Sequence, residues 1–144
     1  MARVSTYLNF AGNTEEAFRF YREVFGTEFI GEIARMGDVP SNPEAPQLTE
    51  DEQQLVMHVE LPILGGHVLM GTDVVTSLGH RLDVGNNTSI MLEPDTRDEA
   101  DRLYAGLAEG SPGGTGMVEM FWGAYWGAFE DRFGIRWMIN VNAA

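Results

Sequence analysis

The sequence predicts an α+β fold assembled from two βαβββ modules, and three observations carry that prediction. The order strand, helix, strand, strand, strand occurs twice along the 144 residues. The two helical segments also register with each other: Glu16-Ala17 and Tyr21 recur at the same separation as Glu99-Ala100 and Tyr104. A repeated element order is a stronger indicator than any one element. Finally, an apolar content of 44% is enough for a real core, and the length suits a single domain. The expected organisation is one domain over 1–144, with module one at about 1–75 and module two at about 86–144.

In the first module Val4–Phe10 reads as a strand. Thr6, Leu8 and Phe10 alternate with Ser5, Tyr7 and Asn9, so one face can be buried. Asn13 or Thr14 offers a helix N-cap, Glu15 and Glu16 suit the positive end of the helix, and Gly26 is a stop. A strand is expected over Glu28–Met36. Pro40, Pro43 and Pro46 then make residues 37–54 a long exposed loop. Gln54–Leu61 and His67–Thr72 form a hairpin turned at Gly65-Gly66, and Val74–Asn87 joins the halves.

The second module opens with a strand over Thr88–Glu93. Thr96 with Glu99 makes a capping box, and Ala100, Leu103, Tyr104 and Leu107 form the helical stripe. Ser111–Gly114 reads as a turn. Strands are expected over about Gly116–Met120, Tyr125–Glu130 and Ile135–Val141, with Asp131–Gly134 turning between the last two.

The net charge of −13 argues against nucleic-acid partners and anionic membrane surfaces. The absence of cysteine removes disulfides, thiolate metal sites and cysteine nucleophiles. The N-terminal residues lack the apolar stretch of a signal peptide, and no apolar run is long enough for a membrane span. A cytoplasmic location is therefore expected.

Each module has one apolar sheet face for its helix, which leaves the other face for use. Two such sheets side by side would make a curved trough. Met57, Val59 and Leu61 are assigned to the helix side, which turns His58 and Glu60 toward the trough or solvent. They lie ~7 Å apart along a strand. An imidazole titrates near neutrality, so this pair is the candidate for acid–base work. The bland reading is a hydrogen-bonded or exposed strand histidine. His67 and His80 read as solvated surface residues. Tyr7 and Asn9, with Met70, Ser89, Met91 and Met138, are candidate ligand-binding residues of an apolar, adaptable lining. Phe121, Trp122 and Tyr125 join that set, since aromatic faces hold planar or apolar ligands; core or dimer interface is the competing reading. Arg35 and Asp38 open the long loop and read as a rim contact or as an ion pair at a strand end. Gly113, Gly114 and Gly116 do not follow a strand and open a helix, so they form no phosphate-binding loop.

Several segments carry a family resemblance. They are Leu8-Asn9-Phe10, Glu15–Phe18 with Phe20-Tyr21, Arg35–Asp38, Met57–Leu61, Val68–Asp73, Phe121–Tyr125 and Asp131–Asn140. Across nearly the whole chain they resemble the PhnB-like branch of the vicinal oxygen chelate superfamily, which includes glyoxalase I, extradiol dioxygenases and bleomycin-resistance proteins. The resemblance implies an eight-stranded incomplete barrel and a homodimer. It also implies four inward-facing metal-ligand positions, which carry over to Tyr7, about Met70, Ser89 (within one residue) and Met138. None is a normal ligand for a hard or borderline ion. No cofactor and no divalent metal are therefore expected. Members of this branch often carry a demethylubiquinone methyltransferase label, but no glycine-rich cofactor motif is present here.

Three functions follow as alternatives. The first is a protein that binds a small molecule in an apolar cavity without the usual metal site. The second is a superfamily enzyme, a lyase, isomerase or dioxygenase, using a divalent metal or the His58/Glu60 pair. The third is a structural or regulatory dimer with a vestigial pocket.

Overall fold

The computed structural model describes residues 1–40 and 42–143. Ser41, within the expected 37–54 loop, and Ala144, at the end of the expected second module, lie outside the described residues. The chain divides into two compact units, residues 1–83 and 84–144.

The first unit contains β1 (Thr6–Phe10), α1 (Thr14–Phe25), β2 (Ala34–Arg35), a short helix α2 (Glu50–Gln54), β3 (Val56–Pro62) and β4 (Val68–Asp73). Its sheet runs β1-β4-β3-β2, with β1 parallel to β4 and the other neighbours antiparallel. The second unit contains β5 (Ile90–Leu92), α3 (Arg97–Leu107), β6 (Gly113–Gly114), β7 (Val118–Glu119), β8 (Tyr125–Glu130) and β9 (Arg136–Val141). Its sheet runs β5-β9-β8-β6, with β7 also on β8, and β5 is parallel to β9. In both units the first strand lies beside the last and parallel to it. The predicted α+β duplication is therefore present as two open sheets.

In the first unit α1 packs on the face that carries Leu8, Gly71 and Val59, which are neighbours across β1, β4 and β3. A Cβ on Gly71 would fall 2.5 Å from the Phe18 ring, so only glycine lets α1 sit this close. Phe18, Ala17, Tyr21, Leu61 and Leu69 are fully buried there. The N-terminus of α1 is not capped by its own flanking side chain. Asp73 supplies the acceptor from the end of β4. Its Oδ1 accepts the Gly12 N–H, the Thr14 N–H and the Thr14 hydroxyl at 2.6–3.1 Å, and its Oδ2 accepts the Val56 N–H at 2.8 Å. One buried carboxylate thus joins α1, β3 and β4, and negative charge is favourable at a helix N-terminus.

In the second unit α3 lies over Phe129, whose ring meets Tyr104 at 4.7 Å, and over Trp137 and Ile139, both fully buried. Thr96 caps α3 by accepting the Glu99 N–H. Asp131 holds the β8–β9 turn: its Oδ1 accepts the Phe133 and Ile135 N–H groups, and its Oδ2 accepts the Trp137 indole N–H at 2.8 Å.

Several expectations need correction. The strand expected over Glu28–Met36 shrinks to Ala34–Arg35, because Gly31 turns the backbone to φ 71°. Earlier in that segment the Ile30 N–H still reaches the Glu60 carbonyl. The expected 37–54 loop contains α2, closed by a capping box between Thr49 and Glu52. The strand expected over Gly116–Met120 shrinks to β7, and a second short piece, β6, precedes it on the same edge of β8. Between them the Tyr104 hydroxyl accepts the Gly116 N–H at 2.8 Å, which draws the backbone toward α3. Gly113-Gly114, expected in a turn, forms the first of these pieces.

Candidate functional site

The face of the first sheet turned away from α1 follows from register. Tyr7, Met70 and Glu60 form one row across β1, β4 and β3, and Asn9 and Thr72 lie in the next. His58 joins this face from β3. Met57 does not join the helix side as expected; it is exposed. The pairing of β2 with β3 slips between Ala34 and Arg35, so a bulge at Met57 restarts the alternation, and Val56 is buried instead.

Three of these side chains form a connected chain. The Tyr7 hydroxyl lies 3.1 Å from His58 Nδ1, with the two rings 5.7 Å apart and tilted by 36°. His58 Nε2 lies 3.4 Å from Glu60 Oε2, and Arg3 Nη2 donates to Glu60 Oε1 at 3.3 Å. The imidazole tautomer with its proton on Nε2 satisfies both neighbours: Tyr7 donates to Nδ1, and Nε2–H donates to Glu60. Tyr7 remains 48% exposed, so the chain ends at a surface a ligand can reach. Burial holds the Tyr7 hydroxyl above the ordinary tyrosine pKa of 10.0. A hydrogen bond with Thr72 pulls the other way, and the charge of Glu60 adds to the upward shift. Near pH 7 Tyr7 is a neutral phenol.

The second unit has a matching row. Met91 on β5, Met138 on β9 and Ala128 on β8 are neighbours facing away from α3, and Met91 is 46% exposed. Trp126 with Asn140, and Glu130 with Arg136, are the adjoining pairs on that face. Two expected residues are not in this row. Ser89 is exposed and lies one residue before β5, so the thioether that faces Met138 in this row is Met91. Tyr125 shares the α3 side of β8 with Gly127 and Phe129. Its hydroxyl donates to Asp101 on α3, and Arg97 lies over its ring at 4.8 Å.

Phe121 and Trp122 are neither core nor part of either sheet face. They occupy the turn between β7 and β8, closed by the Met120–Ala124 and Gly123–Met120 backbone bonds, and are 96% and 56% exposed. Their rings pack edge to face at 4.7 Å. Arg35 is not at a rim: it binds Glu15 of α1 at 2.7 Å and the Gln54 carbonyl. His67, expected to be solvated, bonds the Thr6 hydroxyl at 2.8 Å.

The donor set does not fit the divalent ion of metal-dependent relatives. The first unit's face offers His58 and Glu60 beside a neutral phenol and a thioether, and the second unit's row offers the thioethers of Met91 and Met138; thioethers and a neutral phenol are poor ligands for hard or borderline ions. Among the described residues no group of three or more His, Cys, Asp or Glu side chains could hold a metal ion.

The duplicated module and its paired parallel strands narrow the ancestry, and comparison with known proteins decides it. The model of the glyoxalase/bleomycin resistance protein/dioxygenase superfamily matches residues 3–139. The chain belongs to this superfamily. Protein YjdN of Escherichia coli (strain K12) is 25% identical over 143 residues, covering 96% of this chain and 94% of that protein. The crystal structure of protein PA1353 from Pseudomonas aeruginosa is 30% identical with a TM-score of 0.81, and each chain is covered completely. The PhnB protein from Bacillus cereus matches with a TM-score of 0.74 at 22% identity, over 98% of this chain and 100% of its own. This superfamily member has no helix among its described residues that is long and apolar enough to cross a membrane.

Proposed function

We propose that this superfamily member binds a small organic molecule on the open faces of its sheets, without a metal ion held by its own side chains. The Tyr7–His58–Glu60 chain carries the reading. It places a directional set of polar groups beside Met70, on the sheet face turned away from α1, and Tyr7 is half exposed there. A few fixed polar groups beside an adaptable apolar surface suit recognition of a small ligand. Superfamily membership is consistent with this and does not choose the ligand, because one fold serves many activities.

The test is a melting-temperature survey across small organic metabolites. A binding compound should raise the melting temperature of the wild type. The rise should shrink in both Tyr7→Phe and His58→Ala. A rise equal in all three proteins would remove this face from the site.

The same chain favours a second reading, acid–base catalysis. Glu60 orients the imidazole, and His58 Nδ1 is the atom that would hold a moved proton. Conversion of a bound compound by the wild type and not by His58→Ala would establish it; binding without conversion would leave the first reading. A homodimer is part of the proposal. The exposed Phe121 and Trp122 support it, since large aromatics are enriched at protein interfaces.

A further inference from the structure

All nine cationic side chains of this acidic protein are arginines. Seven of them lie within ion-pair distance of a carboxylate: Arg3, Arg19, Arg22, Arg35, Arg81, Arg97 and Arg102. Arg132 lies over the Phe133 ring. Arg136 differs from the rest. Among the described residues it has no hydrogen-bond or ion-pair partner, and its Nε is buried.

Glu130 makes this notable. It is the cross-strand neighbour of Arg136 on the same sheet face. Opposite charges so placed ordinarily attract, yet no ion pair forms. A buried donor without an acceptor costs roughly 1–3 kcal/mol. Violations of that kind are expected at functional positions. Two residues further along β9 on the same face stands Met138, beside Met91; Trp126 shares the face from β8. A half-buried guanidinium at the end of a thioether and indole surface has a definite chemical complement. Guanidinium binds planar oxyanions through paired N–H donors, and partial desolvation strengthens that attraction.

We infer that the open face of the second sheet takes an anionic small molecule with an apolar body, its carboxylate or equivalent oxyanion held by Arg136. The inference rests on the reading of this chain as a small-molecule binder and names the ligand's chemistry. The apolar body lies on Met138, Met91 and Trp126. The net charge of −13 repels anions in general, so Arg136 supplies a local exception that selects by position.

The experiment uses two probes of matched shape, 2-naphthoate and 2-naphthamide, titrated calorimetrically into wild type, Arg136→Met and Arg136→Gln. Wild type should bind the carboxylate at least tenfold tighter than the amide. Both variants should lose that preference while still binding the amide. The melting temperature of Arg136→Met should equal or exceed the wild type, since it removes an unpaired buried donor. Equal affinity for the two probes in wild type would overturn the inference, as would a preference that survives both substitutions. A fall in melting temperature of more than about 5 °C in both variants would also overturn it, by giving Arg136 a structural task. If neither probe binds but a metabolite still raises the melting temperature, only this inference falls; if no compound does so, the small-molecule reading falls with it.

Discussion

At the scale of single residues, the clearest balance of forces is at Glu15. Its carboxylate accepts from Arg35 and Arg19, both at 2.7 Å, and these bonds hold its pKa at about 2, against an ordinary 4.5. A depressed carboxylate pKa stabilises the fold above the unfolded value, and that contribution is lost as pH falls toward the folded one. Glu15→Gln should therefore cost about 1 kcal/mol at pH 7, after allowance for solvent screening at this half-exposed site. The gap to wild type should close between about pH 4.5 and pH 2 in urea melts. A gap that stays constant over that range would show that the ion pairs contribute nothing. Exposed Trp122 belongs at the other extreme. Trp122→Ala should change stability by less than about 0.5 kcal/mol, because the side chain fills no core space. The sequence could not separate these cases. An aromatic cluster reads the same whether its rings are buried or stand on a turn, and the six-residue run Phe121–Trp126 contains an exposed pair, a helix-side tyrosine and an open-face tryptophan. Arg136 was equally illegible, since an arginine in a strand announces nothing about the acceptor it lacks.

At the scale of elements, the contacts between α1 and its sheet are decided by Gly71 and Asp73. Gly71→Ala would push a methyl group into the buried Phe18 ring and should cost about 1–3 kcal/mol, read as a lower urea midpoint with an unchanged m-value. Asp73→Ala would leave two N–H donors at the start of α1 and the Val56 N–H without their acceptor. It should cost about 3 kcal/mol or more, since several buried groups lose their partner together. Little change in either variant would contradict the packing described. Elements with long alternation or firm caps were legible in advance: β1, α1, the β3–β4 hairpin, α3 and the β8–β9 pair. The strand expected at Glu28–Met36 was broken by the backbone turn at Gly31, the Met57 bulge reversed one residue's face, and Ser89 fell one residue short of β5. The Met57 slip depends on the pairing with β2, which periodicity along one segment does not contain.

At the scale of the whole molecule, the duplication is the most legible feature, because Glu16-Ala17/Tyr21 and Glu99-Ala100/Tyr104 mark equivalent helices over sheets of equivalent order. The equivalent rows Tyr7–Met70–Glu60 and Met91–Met138–Ala128 were only partly legible. Alternation placed Tyr7, Met70, Met91 and Met138 facing away from the helices. The hydrogen-bonded link from Tyr7 through His58 to Glu60 required the register of three strands. If Phe121 and Trp122 join two copies of the chain, replacing both with serine should convert a dimer to a monomer in sedimentation without lowering the melting temperature. A double variant that still sediments as a dimer would assign the interface elsewhere. The proposed binding of a small molecule rests on the Tyr7–His58–Glu60 chain beside Met70, with no ion held by the protein's own side chains. Elemental analysis of the purified protein in complex with a bound metabolite tests it most directly. Full ligand occupancy with far less than one equivalent of any transition metal is the predicted result. Stoichiometric Ni, Zn, Mn or Fe, with ligand binding lost on chelation and restored by the metal, would contradict it.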